Sequence, residues 1–212
     1  MKRVSNKSLT YAIYPRTDLV ILAGGQARRM NGINKLLQKF DDQIQLLKIY
    51  QQLKTDVDKV WINSHRDDSI YQKIIPEIGC YADDEKGFLG PLMGIKSAWS
   101  HVDAAYVLFV PCDVTYIPPK VILELHWALA QNRLAEVAYV EINARALYPF
   151  CLLKRSSLPI LTRHLAQQQR SLKHCFADLH AQAVCFHHPA LFFHSINSID
   201  ELQQYQQLKL LH

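Results

Sequence analysis

Apolar positions along the chain fall into short runs separated by polar loops. Asp18–Ala23, Lys59–Asn63, Ile78–Ala82 and Ala104–Val110 are brief and apolar on both faces, as buried parallel strands are. Between them the spacing turns helical. Gln43–Lys54 carries Ile44, Leu47, Ile49 and Leu53 as a stripe, and Asp67–Ile75 predicts a short helix with Asp67 near its start. Gly90-Pro91-Leu92 opens a third helix, with Pro91 in its first turn and Met93, Ala98 and Trp99 buried. Pro118-Pro119 opens a fourth, with Ile122, Leu125 and Leu129 on one face. Strand, loop and helix therefore alternate through the first 130 residues, the pattern of βαβ units and a parallel sheet covered on both sides.

The rest is less regular. Glu136–Val140 and Pro149–Lys154 read as strands with antiparallel character, Leu158–Gln168 and Leu172–Leu179 as helices, and Ala183–Phe186 and Leu191–Ile196 as late strands. Ser198-Ile-Asp-Glu201 is a capping box, which makes Ser198 the N-cap of a final helix. Residues 1–17, broken at Pro15, read as an extension leading into the first strand, and 18–212 as one α/β domain.

Composition sharpens this modestly. A chain of 212 residues, 49% apolar and 20% charged, is globular and long enough to bury a substantial core. No run approaches the ~18 apolar residues of a membrane span, and Ser8–Thr17 is too polar for a signal segment; the expectation is a cytoplasmic protein. Five scattered cysteines predict buried thiols rather than disulfides. Cys175, His180, Cys185, His187 and His188 match no familiar zinc spacing and read as structural thiols and surface histidines. The formal charge of +5 suits anionic ligands, but no basic run suggests nucleic acid.

Glycine changes the picture more. All seven glycines lie between positions 24 and 94, where backbone must turn or come close to something. Gly24-Gly25 ends the first strand, and Arg28, Arg29 and Lys35 follow. Bare amides plus cations suit a polyphosphate. The loop lacks both G-x-x-x-x-G-K-[ST] and G-x-G-x-x-G, which disfavours a P-loop kinase and a dinucleotide-dependent dehydrogenase. Gly24-Gly25, Asn63, Asp83 and Asp113 each stand just past the carboxyl end of a predicted strand, where open α/β sheets bind ligands. Asp113, ending an apolar strand, needs a cation or donors; Mg²⁺ shared with phosphate oxygens is one solution, a turn or N-cap role the other. Asn63 and Asp83 could read a base or ribose, since one carboxylate can accept both N1–H and N2–H of guanine; a solvated acidic turn at Asp83-Asp84-Glu85 is the alternative.

These segments resemble the molybdenum cofactor guanylyltransferase (MobA) family. The resemblance rests on Leu22-Ala-Gly-Gly25 with Arg28, Arg29, Met30, Gly32 and Lys35, on Val60-Trp-Ile-Asn63, and on Asp83 with Gly90-Pro-Leu-Met-Gly94. Phe109-Val-Pro-Cys-Asp113, Tyr116-Ile-Pro-Pro119 and Asn197-Ser-Ile-Asp-Glu-Leu202 extend it over about residues 18–205. Three positions depart from the family pattern: Asn34 replaces an Asp, Ser195 a second Asn, and Arg145-Ala-Leu-Tyr148-Pro149 stands in place of R-x-H-P.

The resemblance implies a three-layer Rossmann-like nucleotidyltransferase fold with a mostly parallel central sheet. Residues 18–130 would form the GTP- and Mg²⁺-binding half and 131–212 the molybdopterin-side half. It implies that the backbone of Leu22, Ala23, Gly24 and Gly25 holds GTP with Lys35, and that Arg28 and Lys35 lie near the phosphates. Asn63 and Asp83 would bind the nucleoside, Asp113 would bind Mg²⁺, Gly90 and Gly94 would let backbone approach nucleotide and pterin, and Asn197 would contact the pterin. The implied reaction joins GMP from GTP to the terminal phosphate of molybdopterin, releasing pyrophosphate. Other molybdenum cofactor biosynthesis proteins, molybdoenzyme apoproteins and their chaperones are candidate partners; nucleic acid and membrane are not. The alternatives are a cytidylyl- or sugar-phosphate nucleotidyltransferase, or an inactive GTP-binding paralogue.

Overall fold

The structure is a computed structural model that describes residues 14–25, 32–85, 87, 89–189, 191 and 193–210. Its first strand, β1 (Thr17–Leu22), is buried along its whole length, which follows from apolar side chains on both faces of a central strand. Then come α1 (Gln45–Leu53), β2 (Val60–Asn63), α2 (Asp68–Ile74), β3 (Gly79–Tyr81), α3 (Pro91–Ala98), β4 (Tyr106–Pro111) and α4 (Val121–Gln131). The chain continues through β5 (Val137–Ile142), β6 (Arg145–Lys154), α5 (Leu158–Ala166), α6 (Leu172–Asp178), β7 (Gln182–Phe186) and α7 (Ile199–Leu210). Thr17 already pairs with Tyr106, and Arg16 and Tyr14 reach Asp58 and the Asp56 carbonyl, so the fold takes up residues ahead of Asp18.

The seven strands form one sheet in the order β3-β2-β1-β4-β6-β5-β7. β6 pairs antiparallel with both β4 and β5; the other pairings are parallel. This is the mostly parallel, Rossmann-like central sheet expected from the sequence. Alternate side chains of β1 feed two apolar layers. Leu19 and Ile21 pack with Leu46, Ile49, Leu125 and Leu129 of α1 and α4; Val20 and Leu22 pack with Leu92, Ile95, Leu161 and Phe176 of α3, α5 and α6. Strand order reverses between β1 and β4, and such a switch point opens a crevice at the carboxyl ends of the strands.

Several sequence expectations are corrected. In α1 the fully buried residues are Leu46 and Ile49 rather than Leu47, and Gln45 is buried too, its amide donating to the Val114 carbonyl at 2.7 Å. β6 begins at Arg145, not Pro149. Between the pairs Tyr139↔Cys151 and Glu141↔Ala146 the register shifts, and the bulge places Pro149 among the residues it adds to β6. Proline is admitted there because a bulge leaves its position outside the ladder. Among the described residues of 191–196 none lies in a strand: they contribute one bridge, Val114↔Ser195, and bury Ile196 with Phe40 and Tyr205 of α7. Cys185 is exposed rather than buried.

Candidate active site

Backbone bonds hold four strand ends at one level. The Leu22 carbonyl accepts from Cys112 N–H at 3.1 Å, Ala23 N–H donates to the Asn63 carbonyl at 2.9 Å, and Ser64 N–H to the Tyr81 carbonyl at 2.9 Å. The cavity above them measures about 600 Å³ and is lined by Leu22, Ala23, Gly24, Gly25, Lys35, Asn63, Asp83, Gly90 and Asp113. It thus brings together nine positions singled out in the sequence. Arg66 and Pro149 line it as well. Arg66 escaped the sequence reading, although its place three residues beyond Asn63, at the same strand end, was a usable signal. Arg28, Arg29 and Met30 lie outside the described residues.

The phosphate-type loop occupies the middle. Because the Ala23 amide is taken by the sheet, Gly24 and Gly25 are the first residues whose N–H groups lie beyond the ladder. Lys35 lies in a 3-10 turn capped by Asn34, whose side-chain oxygen accepts from Leu36 N–H at 3.0 Å. The Lys35 ammonium, 14% exposed, donates to Asp113 Oδ2 at 3.0 Å and to Asn197 Oδ1 at 3.1 Å. Asn34 turns its amide away from this cluster, donating to Asp67 Oδ2 at 2.6 Å and to the Tyr71 hydroxyl at 2.7 Å. An aspartate at position 34 would lose both donations and face another carboxylate.

On the β2–β3 side, Asn63 donates to Asp83 Oδ1 at 2.9 Å, while His65 Nε2 lies 3.2 Å from Asp83 Oδ2. The Asp83 side chain is only 5% exposed, and its two partners offset the cost of burying a polar group there. Gly94 does not line the cavity. It lies in α3 beneath Asn63, where an added Cβ would come within 2.4 Å of Asn63 Oδ1. The missing side chain makes room there for the Asn63–Asp83 pair. Gly90, by contrast, caps α3 at φ +87 on the cavity wall, a conformation L side chains rarely adopt.

On the β4 side, the segment before α7 is laced to the Asp113 loop. Ile196 N–H donates to the Asp113 carbonyl at 3.0 Å and Thr115 N–H to the His194 carbonyl at 3.2 Å. Ser198 caps Glu201 N–H at 3.1 Å, and the Glu201 carboxylate accepts from Asn197 N–H at 2.6 Å, one residue beyond the N-cap. Asn197 also donates to the Ser195 hydroxyl at 3.0 Å, so Ser195 orients the amide that reaches Lys35. Burial, reinforced by the Asp113 carboxylate, pushes the Cys112 thiol up to about 12 and leaves it a poor nucleophile. Among the described residues no three His, Cys, Asp or Glu side chains gather around a point. One carboxylate on the cavity wall, Asp113, could serve Mg²⁺, which takes one or two carboxylates and completes its shell from other oxygens and water.

The chain matches the model of the MobA-like NTP transferase domain over residues 19–184. It is 66% identical over 196 residues to the molybdenum cofactor guanylyltransferase of Acinetobacter baumannii, covering 92% of this chain and 94% of that one. It is 38% identical over 185 residues to the protein of the same name from Pasteurella multocida, covering 87% and 96%. Among solved structures it resembles molybdopterin-guanine dinucleotide biosynthesis protein A from Archaeoglobus fulgidus, with a TM-score of 0.67 at 18% identity, covering 92% of this chain and 100% of that one. It equally resembles CMP:2-keto-3-deoxy-manno-octonic acid synthetase complexed with CTP, with a TM-score of 0.67 at 14% identity, covering 92% and 99%.

Proposed function

The chain belongs to the MobA-like NTP transferase family, and from that premise we propose that it transfers GMP from GTP to the terminal phosphate of molybdopterin, with release of pyrophosphate. The observation that supports this reading best is the two-sided cavity at the switch point. Asn63 and Asp83 stand on one side of the glycine loop, and Asp113, Lys35 and Asn197 on the other.

In this reading Gly24 and Gly25 present amides to the triphosphate. Asp83, fixed by Asn63 and His65, accepts the paired donors of the guanine edge. Lys35 leaves its ion pair with Asp113 and neutralises charge gathering on the departing pyrophosphate, together with Arg28. Asp113 would hold Mg²⁺, which when bound supplies charge neutralisation at the phosphates. Asn197, which does not itself line the cavity, anchors the Lys35 ammonium, and Pro149 borders the space left for the acceptor. Catalysis is then positioning plus electrostatic stabilisation, with no protein nucleophile.

The test is incubation with molybdopterin, Mg²⁺ and each of the four nucleoside triphosphates, with mass detection of the dinucleotide. Guanine dinucleotide formed from GTP alone is the expected result; a cytosine dinucleotide, or no product with authentic acceptor, would overturn the proposal.

A further inference from the structure

Arg66 is the one cavity-lining arginine among the described residues, and nothing in the reaction above uses it. Its placement is fixed. The Ser64 hydroxyl, on a residue only 2% exposed, donates to the Arg66 carbonyl at 2.8 Å and accepts from Arg66 N–H at 3.3 Å. Its guanidinium approaches Asp67 Oδ2 at 3.7 Å, beyond hydrogen-bond length, with the Arg66 side chain 44% exposed. An exposed pair at that separation contributes little to stability, so it does not account for an arginine held at the cavity wall. Asp67 is also the residue that receives the Asn34 amide, and Asn34 immediately precedes Lys35. The Asp67 carboxylate thus lies between the Arg66 guanidinium and the turn that carries Lys35, bonded to the turn alone. The two cations border one cavity, with Gly24 and Gly25 also on its wall.

We infer that Arg66 is a second phosphate-binding cation of this site. Lys35, a point charge already shared between Asp113 and Asn197, is suited to one oxygen at a time. Arg66 presents a planar fork suited to two. The inference rests on the proposed nucleotidyl transfer for the identity of the ligand. The phosphate it grips comes either from the GTP triphosphate or from the acceptor's terminal phosphate.

The test compares the parent with Arg66→Met, which keeps much of the side-chain stem, and with Arg66→Lys, which keeps the charge. Calorimetric titrations use GTP, inorganic pyrophosphate and guanosine in the presence of Mg²⁺, and the KM for molybdopterin is measured alongside. For a triphosphate contact, Arg66→Met weakens GTP and pyrophosphate on the order of 10- to 100-fold and leaves guanosine unchanged, with Arg66→Lys intermediate. For an acceptor contact, GTP binding is kept and the KM for molybdopterin rises by a similar factor. Unchanged GTP, pyrophosphate and acceptor constants in a variant with parental melting temperature would overturn the inference. The pyrophosphate arm needs no guanine, so a parent that binds pyrophosphate but not GTP would discredit the GTP reading while still reporting on Arg66.

Discussion

The amide of Asn34 donates to the carboxylate of Asp67 across 2.6 Å, joining the turn that carries Lys35 to the start of α2. Position 34 is where the family pattern has an aspartate, and the structure explains why this chain does not: its neighbour at 67 already supplies the carboxylate. Asn34→Asp should therefore destabilise the protein by about 1–3 kcal/mol near pH 8. Two carboxylates in contact retain a proton to higher pH than in the unfolded chain, so the deficit relative to the parent should shrink as pH falls toward 4. Adding Asp67→Asn restores an amide–carboxylate pair in the opposite sense and should recover most of the loss. Urea unfolding of the parent, the single variant and the double variant across pH reads all three outcomes.

Lys35 is tied to Asp113 and Asn197 at once, so the three should be unequal in their effects. Lys35→Ala should lower kcat by 10²-fold or more, the scale of losing one electrostatic contact in a transition state, and Asp113→Ala should abolish turnover. Asn197→Ala, which releases the ammonium without removing it, should cost about 10-fold in kcat/KM. Pyrophosphate release at saturating GTP measures this series.

Gly94 is predicted to be intolerant of the smallest side chain. A Cβ there meets Asn63 Oδ1 at 2.4 Å and Cγ at 3.0 Å, and Asn63 is itself buried and bound to Asp83. Gly94→Ala should cost about 1–3 kcal/mol of stability and weaken GTP by more than 10-fold through Asp83, while pyrophosphate binding stays close to parental. Thermal unfolding and the two titrations separate these effects.

His126 gives a pH dependence remote from the cavity. It is buried against Tyr14 and Tyr106, and burial lowers its imidazole to about 4. The Thr17 hydroxyl donates to the Pro15 carbonyl at 2.9 Å, so the 2.7 Å contact with His126 Nε2 requires the ring to donate. The neutral ring is thus favoured by folding. That stability is complete above pH ~6.5, the ordinary histidine value, and is lost as pH falls toward 4, amounting to about 2–3 kcal/mol. His126→Gln keeps a donor and removes the titration, so its unfolding midpoint should change less than the parent's between pH 7 and 4.5.

Much of this was legible in the sequence for a local reason. Strands such as Tyr106–Pro111 are buried on both faces, so their apolar runs are continuous, and the residues that end them sit by geometry at the ligand crevice. What was not legible depends on partners far along the chain. Ile196 looks like strand because it is apolar, yet its burial is against Phe40 and Tyr205. The close packing of Gly94 in α3 under Asn63, at the end of β2, shows only when the two elements are brought together. Gln45 is polar yet fully buried, and the Val114 carbonyl that takes its amide lies far along the chain. The Asn34 departure was visible as a missing charge, but its compensation at Asp67 required the fold.

The sheet order has a consequence for how such a site can diversify. Asn63 and Asp83 come from β2 and the end of β3, whereas Asp113, Pro149 and Asn197 come from β4, β6 and the lead-in to α7, with β1 between the two groups. Side chains that share no partner combine their effects almost additively. Under the function proposed above, Pro149 can therefore vary to suit a different phosphorylated acceptor while Asn63 and Asp83 stay undisturbed, whereas Ser195, linked through Asn197 to Lys35, cannot change without moving that cation.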